Sequence, residues 1–285
     1  MSISSSRSQL AFKKTERALL KLSSTQTAEV VHRFRTASCR LQTLLEHFLR
    51  ERDRNQKKLL KMLNQIRRRA GKVRDLDVQL AALRSLKVPQ QPRRKTQLVQ
   101  GLIELREKHE KKLRKMLTSS VIRELQKRLK RGSNQVRLAG GQDALKIARE
   151  MLNQVVRPAG PLREDVLHTY RTMMKRARYA AEFAPNSAEA DYFIAEVKKL
   201  QDALGNWHDW LILTEAAAKR LGEVSQSSLV ALLHNVTAGK FRLAVAAVSA
   251  SPTLRPGNAV LVATKQSRKV SANSPTLIER IESAA

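Results

Sequence analysis

The chain is short of acid, of aromatics and of cysteine. Its 285 residues hold only 25 Asp and Glu against 55 Lys and Arg, which leaves a formal net charge of +30. A chain so unbalanced repels itself, and a polyanion neutralises it. Nucleic acid, inorganic polyphosphate and an anionic membrane surface all qualify as partners. Aromatic residues make up 4% of the chain, which argues against modules that stack single-stranded bases on Phe, Tyr or Trp. The single cysteine, Cys39, excludes an internal disulfide framework and a multi-cysteine zinc site. It reads as a buried or neutral thiol. No apolar run approaches the roughly 20 residues that a membrane helix requires, and residues 1–10 have no apolar leader stretch. A cytoplasmic protein without membrane insertion is expected. The basic segments have no P-loop, no H-E-x-x-H and no paired acidic metal ligands beside them. No enzyme activity, metal or cofactor is therefore expected.

What is present is helix-forming. Leu, Ala, Arg, Lys, Glu and Gln dominate, and period-2 alternation is missing. The spacing predicts helices over 27–52, 56–70, 74–86 and 94–117, then one capped by Ser119 or Ser120 and ending before Gly132. Pro89 and Pro92 bracket a short basic loop. Residues 132–141 read as a linker. The second half restarts near Gln142 and pauses at Pro158 to Pro161, with Pro161 in the first turn of the next helix. Pro185 ends that helix, and Asn186 with Glu189 resembles a capping box. Further helices are predicted over 187–204, 207–221 and 226–248. The expected organisation is an N-terminal segment (1–22), a helical body (23–250, with halves 23–131 and 142–250) and a disordered basic tail (251–285). The last ten residues, TLIERIESAA, read as a short helix for a partner. About four helices per half suggest an all-α fold of two four-helix bundles.

Two pairs of segments repeat, each at an offset of about 135 residues, so internal duplication is the economical explanation. His32, Arg35 and Arg40 match His168, Arg171 and Arg176 as H-x-x-R-x-x-x-x-R. On a helix, His168, Arg171, Lys175 and Arg178 fall within about 80° of one another, with Tyr170, Met173, Met174 and Ala177 opposite. His32 and Arg35 oppose Phe34, Leu41, Leu44, Leu45 and Phe48 in the same way. A merely solvated face has no reason to keep one residue order twice. The second pair is Gly71-Lys72-Val73-Arg74-Asp75 and Gly205-Asn206-Trp207-His208-Asp209. Gly71 and Gly205 read as tight breaks between helices. Asp75 and Asp209 read as caps of the restarting helices or as partners of a stripe arginine. A pseudo-two-fold axis between the halves would bring both stripes to one basic central groove.

The order of these motifs resembles the CHAD family, the conserved-histidine α-helical domain, over roughly residues 23–250. His32, Arg35 and Arg40 look like its first His/Arg helix. Lys72, Arg74, Asp75 and Asp77 look like its R-D-x-D element. His168, Arg171, Lys175, Arg176, Arg178 and Tyr179 look like its second His/Arg helix. Leu200-Gln201-Asp202-x-Leu204-Gly205, with His208 and Asp209, looks like its L-Q-D-x-L-G element. The resemblance implies two four-helix bundles around a basic cavity that binds inorganic polyphosphate. It also implies an association with polyphosphate granules. The expected polyphosphate-binding residues are His32, Arg35, Arg40, Lys72, Arg74, His168, Arg171, Lys175, Arg176, Arg178, Tyr179 and His208. Cys39 and Gln42 stand in the first stripe where the second has Lys175 and Arg178, which predicts a weaker grip from the first half.

Non-specific nucleic-acid binding is the main rival, since high charge alone fits it equally well; no recognisable reading motif supports sequence-specific recognition. A regulatory adaptor that recruits a partner through its tail is a third reading. His47, His109 and His234 have no repeat partner and read as ordinary helix residues. Trp207 and Trp210 read as packing anchors. The runs Arg67–Arg69 and Arg93–Lys95 read as solubilising, or as extensions of an anion track.

Overall fold

The computed structural model describes residues 5–87, 92–136, 138–139, 141–154, 161–222 and 227–254. Among them are nine α-helices and no strand: α1 (Ser5–Ser24), α2 (Ala28–His47), α3 (Arg54–Ser85), α4 (Pro92–Met116), α5 (Ser119–Asn134), α6 (Ala144–Asn153), α7 (Glu164–Ala181), α8 (Ala188–Leu221) and α9 (Ser228–Ala250). The pauses centred on Pro89 and Pro158, and the tail from residue 255 onward, lie outside the described residues. The first tail residues are ordered: Pro252–Leu254 form a 3-10 turn against α8, and Ser251 is buried.

Helix starts follow capping chemistry, since the first N–H groups need a side-chain acceptor. Thr27, Thr118, Ser187 and Ser227 each cap a helix, and Asp53 with Gln56 forms a reciprocal capping box. Three local expectations are corrected here. Ser187, not Asn186, caps α8, and Glu189 pairs with Arg149. Thr118 caps α5, not Ser119 or Ser120. Pro161 lies ahead of α7, which starts at Glu164 after an N-cap, Arg163, that makes no side-chain hydrogen bond.

A larger correction concerns the two glycines. Gly71 and Gly205 break nothing; α3 runs 32 residues and α8 runs 34 straight through them. Neither glycine has a positive φ. The apolar series Leu63, Ile66, Ala70, Val73, Leu76, Leu80 and Leu83 keeps a helical period across Gly71, and all of these residues are buried. Their packing outweighs the roughly 1 kcal/mol that one mid-helix glycine costs. Asp75 and Asp209 are consequently mid-helix residues and cap nothing.

Helices α1 to α4 pack consecutively, as do α6 to α9; the two series meet through α2 against α7 and α3 against α8, and α5 lies on α1 and α3. The apolar core does not divide at mid-chain. One cluster joins α1, α2, the first part of α3, α5, α6, α7, the first part of α8 and the end of α9. A smaller cluster joins the last part of α3, the start of α4, the last part of α8 and the start of α9. The boundary falls between Val73 and Leu76 on α3 and between Trp207 and Leu213 on α8. Arg74, Asp75, His208 and Asp209 occupy that waist. The N-terminal helix belongs to the larger cluster through buried Phe12, Leu19 and Leu22.

Helix α9 departs from the expectation that no segment reaches membrane-spanning length. By length and composition alone its 23 residues pass that test. Two cations, Lys240 and Arg242, interrupt it, and Leu229, Val230, Leu233, Ala244 and Val248 are buried within the protein.

Candidate functional site

The packing of α2 on α7 and of α3 on α8 sets both basic stripes around the waist. His32 (α2) has Arg74 (α3), Arg35 (α2), Lys175 and Arg178 (both α7) as its charged neighbours. Cations that are distant in the chain thus converge on one hollow. Asp75 faces Arg35, Arg171, Lys175 and Arg74, and Asp209 faces Arg171, Lys175, Asp75 and Arg74. The imidazoles of His168 and His208 lie 5.3 Å apart between centroids, so one motif from each of α7 and α8 meets there. Asp75 is exposed to solvent, although protein surrounds much of its carboxylate.

The electrostatics of the hollow are unfavourable to its own charges. Burial, followed by repulsion from Arg171 and Arg35, lowers Lys175 from 10.5 to about 8. Burial also lowers Arg171, whose Nε is buried without a hydrogen-bond partner. Burial first, then Arg171, His168 and Lys175, bring His208 down to about 4. His32 is lowered by burial and by the four surrounding cations. Both carboxylates are raised, because burial outweighs the adjacent cations. Among the described residues no carboxylate lies within 4.0 Å of the cationic nitrogens of Arg35, Arg74, Arg171 or Lys175. Cations thus outnumber Asp75 and Asp209 here, and an added anion would relieve the excess positive charge.

Around this centre, other stripe residues are held by the fold. Arg35 donates from Nη1 to the Arg67 carbonyl at 3.3 Å, and its guanidinium lies where a Cβ on Gly71 would stand. Arg67 in turn reaches Cys39 Sγ at 3.4 Å and Asn64 Oδ1 at 2.6 Å. Arg40 grips Glu182 with two hydrogen bonds, one of them 3.0 Å, and Arg178 reaches the same carboxylate at 3.2 Å. Arg178 Nε also donates to Gln201 Oε1 on α8 at 2.8 Å. Buried Tyr179 lies beneath both guanidiniums, 5.5 Å from Arg40 and 4.9 Å from Arg178, and burial pushes its hydroxyl up.

Of the twelve residues expected from sequence, the hollow gathers His32, Arg35, Arg74, His168, Arg171, Lys175, Arg178 and His208. Arg40 and Tyr179 sit one layer away with Glu182. The structure does not bring Lys72 and Arg176 to the centre. Lys72 lies beside His109, near Lys108, Lys112 and Arg69, and Arg176 lies beside His47 near Arg52. Asp77 binds Arg106 of α4 at 2.6 Å, a buried tie between helices. Sequence reasoning missed Glu182, and it named Gln201 only as part of the L-Q-D-x-L-G element, without its bond to Arg178. Glu182 stands four residues after Arg178 and was legible as an i,i+4 pair; its bond to Arg40 on another helix was not. A concavity of about 730 Å³ lies elsewhere, between α1 and α5, lined in part by Phe12, Lys13, Glu16, Arg123 and Lys127.

The CHAD domain model matches residues 9–218. The chain belongs to the CHAD domain family. It is similar in fold to the crystal structure of the CHAD domain from the plant Ricinus communis, at 16% identity and a TM-score of 0.63, over 86% of this chain and 89% of that one. It is similar also to PptA from Streptomyces chartreusis, at 15% identity and a TM-score of 0.64, over 88% of this chain and 99% of that one. Comparison with curated proteins gives no match. The CHAD match includes the stripes on α2 and α7 and the waist segments of α3 and α8, so every residue of the hollow lies inside it.

Proposed function

We propose that this CHAD protein binds inorganic polyphosphate in the hollow at its waist, without turning it over. The observation that carries this reading is the convergence of Arg35, Arg74, Arg171 and Lys175 from three helices with no carboxylate in ion-pair reach. Polyphosphate offers about one negative charge per residue on a narrow flexible chain. Arginine can grip two phosphate oxygens at once, and lysine adds a point charge. Each phosphate that enters would relieve the repulsion among these cations. Binding releases counterions, so affinity should fall steeply with salt, by analogy with nucleic acid. The two-fold motif order and the α2–α7 and α3–α8 contacts support an origin by duplication. We place the protein in the cytoplasm, and on polyphosphate granules as the family resemblance implies; imaging of a labelled chain against a polyphosphate stain checks this.

The deciding experiment titrates the full chain with long polyphosphate, tRNA and heparin across salt. Polyphosphate should bind tightest at each ionic strength. Replacing Arg35, Arg171, Lys175 and Arg178 together should abolish its binding and leave helicity intact. Retained binding by a folded quadruple variant would place the site elsewhere. A preference for tRNA would favour a nucleic-acid role. Release of phosphate from polyphosphate, with or without magnesium, would make the protein an enzyme.

A further inference from the structure

The two glycines of the repeated motif occupy equivalent places on α3 and α8, and their surroundings differ. At about 100° per residue, Arg67, Arg74 and Asp75 lie within roughly 60° of Gly71 on α3, and Gln201, His208 and Asp209 lie within the same angle of Gly205 on α8. Both glycines thus belong to the helix faces that carry the hollow. Gln201 holds Arg178, His208 touches His168, and Asp209 faces Arg171 and Lys175. Over Gly71 the space is filled, because the Arg35 guanidinium lies on it. Over Gly205 no described atom would come within 4 Å of an added Cβ.

We infer that the bare backbone at Gly205 is the floor of the seat for the most deeply bound phosphoryl groups, so that the chain lies along α8 and not along α3. This rests on the polyphosphate reading above and adds to it which wall the anion touches. Glycine is otherwise costly in the middle of a 34-residue helix, and no turn or positive φ requires it at this position. At residue 71 the missing side chain makes room for an arginine of the protein itself. At residue 205 it leaves room that no described side chain enters within 4 Å of the missing Cβ. His208 and Gln201 flank Gly205 on its own face of α8; the first packs against His168 and has Arg171 and Lys175 as charged neighbours, and the second holds Arg178, so a phosphate above Gly205 would approach cations from α7 and imidazoles from both helices.

The test compares Gly205→Leu and Gly205→Glu with Gly239→Leu in the full chain. Gly239 lies in the middle of α9 and also faces open space, so it controls for helix propensity and added bulk. Circular dichroism and thermal melts check folding, and long polyphosphate is the titrant. Gly205→Leu should bind about tenfold or more weakly, and Gly205→Glu more weakly still, because it adds like charge. Gly239→Leu should bind as the unaltered chain does. Should the larger substitutions prevent folding, Gly205→Ala, which favours a helix, should fold and still show a few-fold loss. Unchanged affinity in a folded Gly205 variant overturns the seat on α8. If the four-cation variant has meanwhile lost binding, the polyphosphate reading survives that failure; if it too retains binding, both fall.

Discussion

The stripe helices α2 and α7 present the same residue order and use it in opposite ways. On α2 the cations are anchored to the fold, Arg40 by a carboxylate and Arg35 by a backbone carbonyl that leaves its charge unpaired. Arg40 is held by Glu182, Arg35 lies over Gly71 on the Arg67 carbonyl, and Cys39 stands where α7 has Lys175. On α7 only Arg178 is tied down, by Glu182 and Gln201. Arg171 and Lys175 are crowded and lack an ion-pair partner among the described residues, and burial lowers both. A repeated pattern therefore does not carry repeated charge. The partner helix decides which cations become structural ties and which remain free for an anion.

The sharpest way to break this contrast is to disarm one side at a time. Arg171→Ala with Lys175→Ala should weaken polyphosphate binding by at least about 100-fold, and Arg35→Ala with Arg40→Ala by about tenfold, since each charge-assisted contact contributes roughly 1.5–3 kcal/mol when free and less when already spent. Equal losses in a titration at one salt concentration would erase the asymmetry.

Next in size is a trade of stability against binding. The depression of Lys175 from 10.5 to about 8 corresponds to roughly 3 kcal/mol of unfavourable burial and repulsion at pH 7 before solvent screening reduces it. Lys175→Met should therefore bind polyphosphate less well and resist denaturant better. The unfolded chain holds the Lys175 proton more firmly than the folded one between pH 8 and 10.5. Stability of the unaltered protein thus gains from this group as pH rises through that window. The advantage of Lys175→Met should fade from pH 8 upward. A variant less stable than its parent at pH 7 would mean that the lysine is paired.

A smaller effect concerns the histidines. His208 at about 4, and His32 below its usual value, are neutral in the free protein at pH 7. A phosphate beside them favours the protonated forms, so binding takes up protons and tightens as pH falls from 7 toward 5.5. Calorimetry in two buffers of different ionisation heat reads that uptake, and His208→Gln should reduce it. A flat response would remove the imidazoles from contact with phosphate. Smallest of all, Gly71→Ala should displace the Arg35 guanidinium and weaken binding a few-fold, by an amount that a structural tie and not a direct ligand would give.

Much of the site was legible because like residues recur in like order. His32 with Arg35, and His168 with Arg171, Lys175 and Arg178, were found by helical spacing alone. Lys72 and Arg176 shared those motifs but turn toward His109 and His47, because one residue of offset is about 100° of helix. Gly71 and Gly205 misled as helix breaks. A glycine's local cost was visible, but burial of the apolar series running past Gly71 outweighs it. Glu182 could be paired with Arg178 from spacing, but not with Arg40, 142 positions away.

Charge, helicity and the order of the motifs were settled by the amino acids themselves, because propensity and periodicity are local and summed charge needs no geometry. Which cations face one another, which are neutralised, and where a hollow opens between two apolar clusters were decided only by tertiary packing. Those outcomes depend on distances between α2, α3, α7 and α8, and a buried charge takes its energy from neighbours that the chain order does not name.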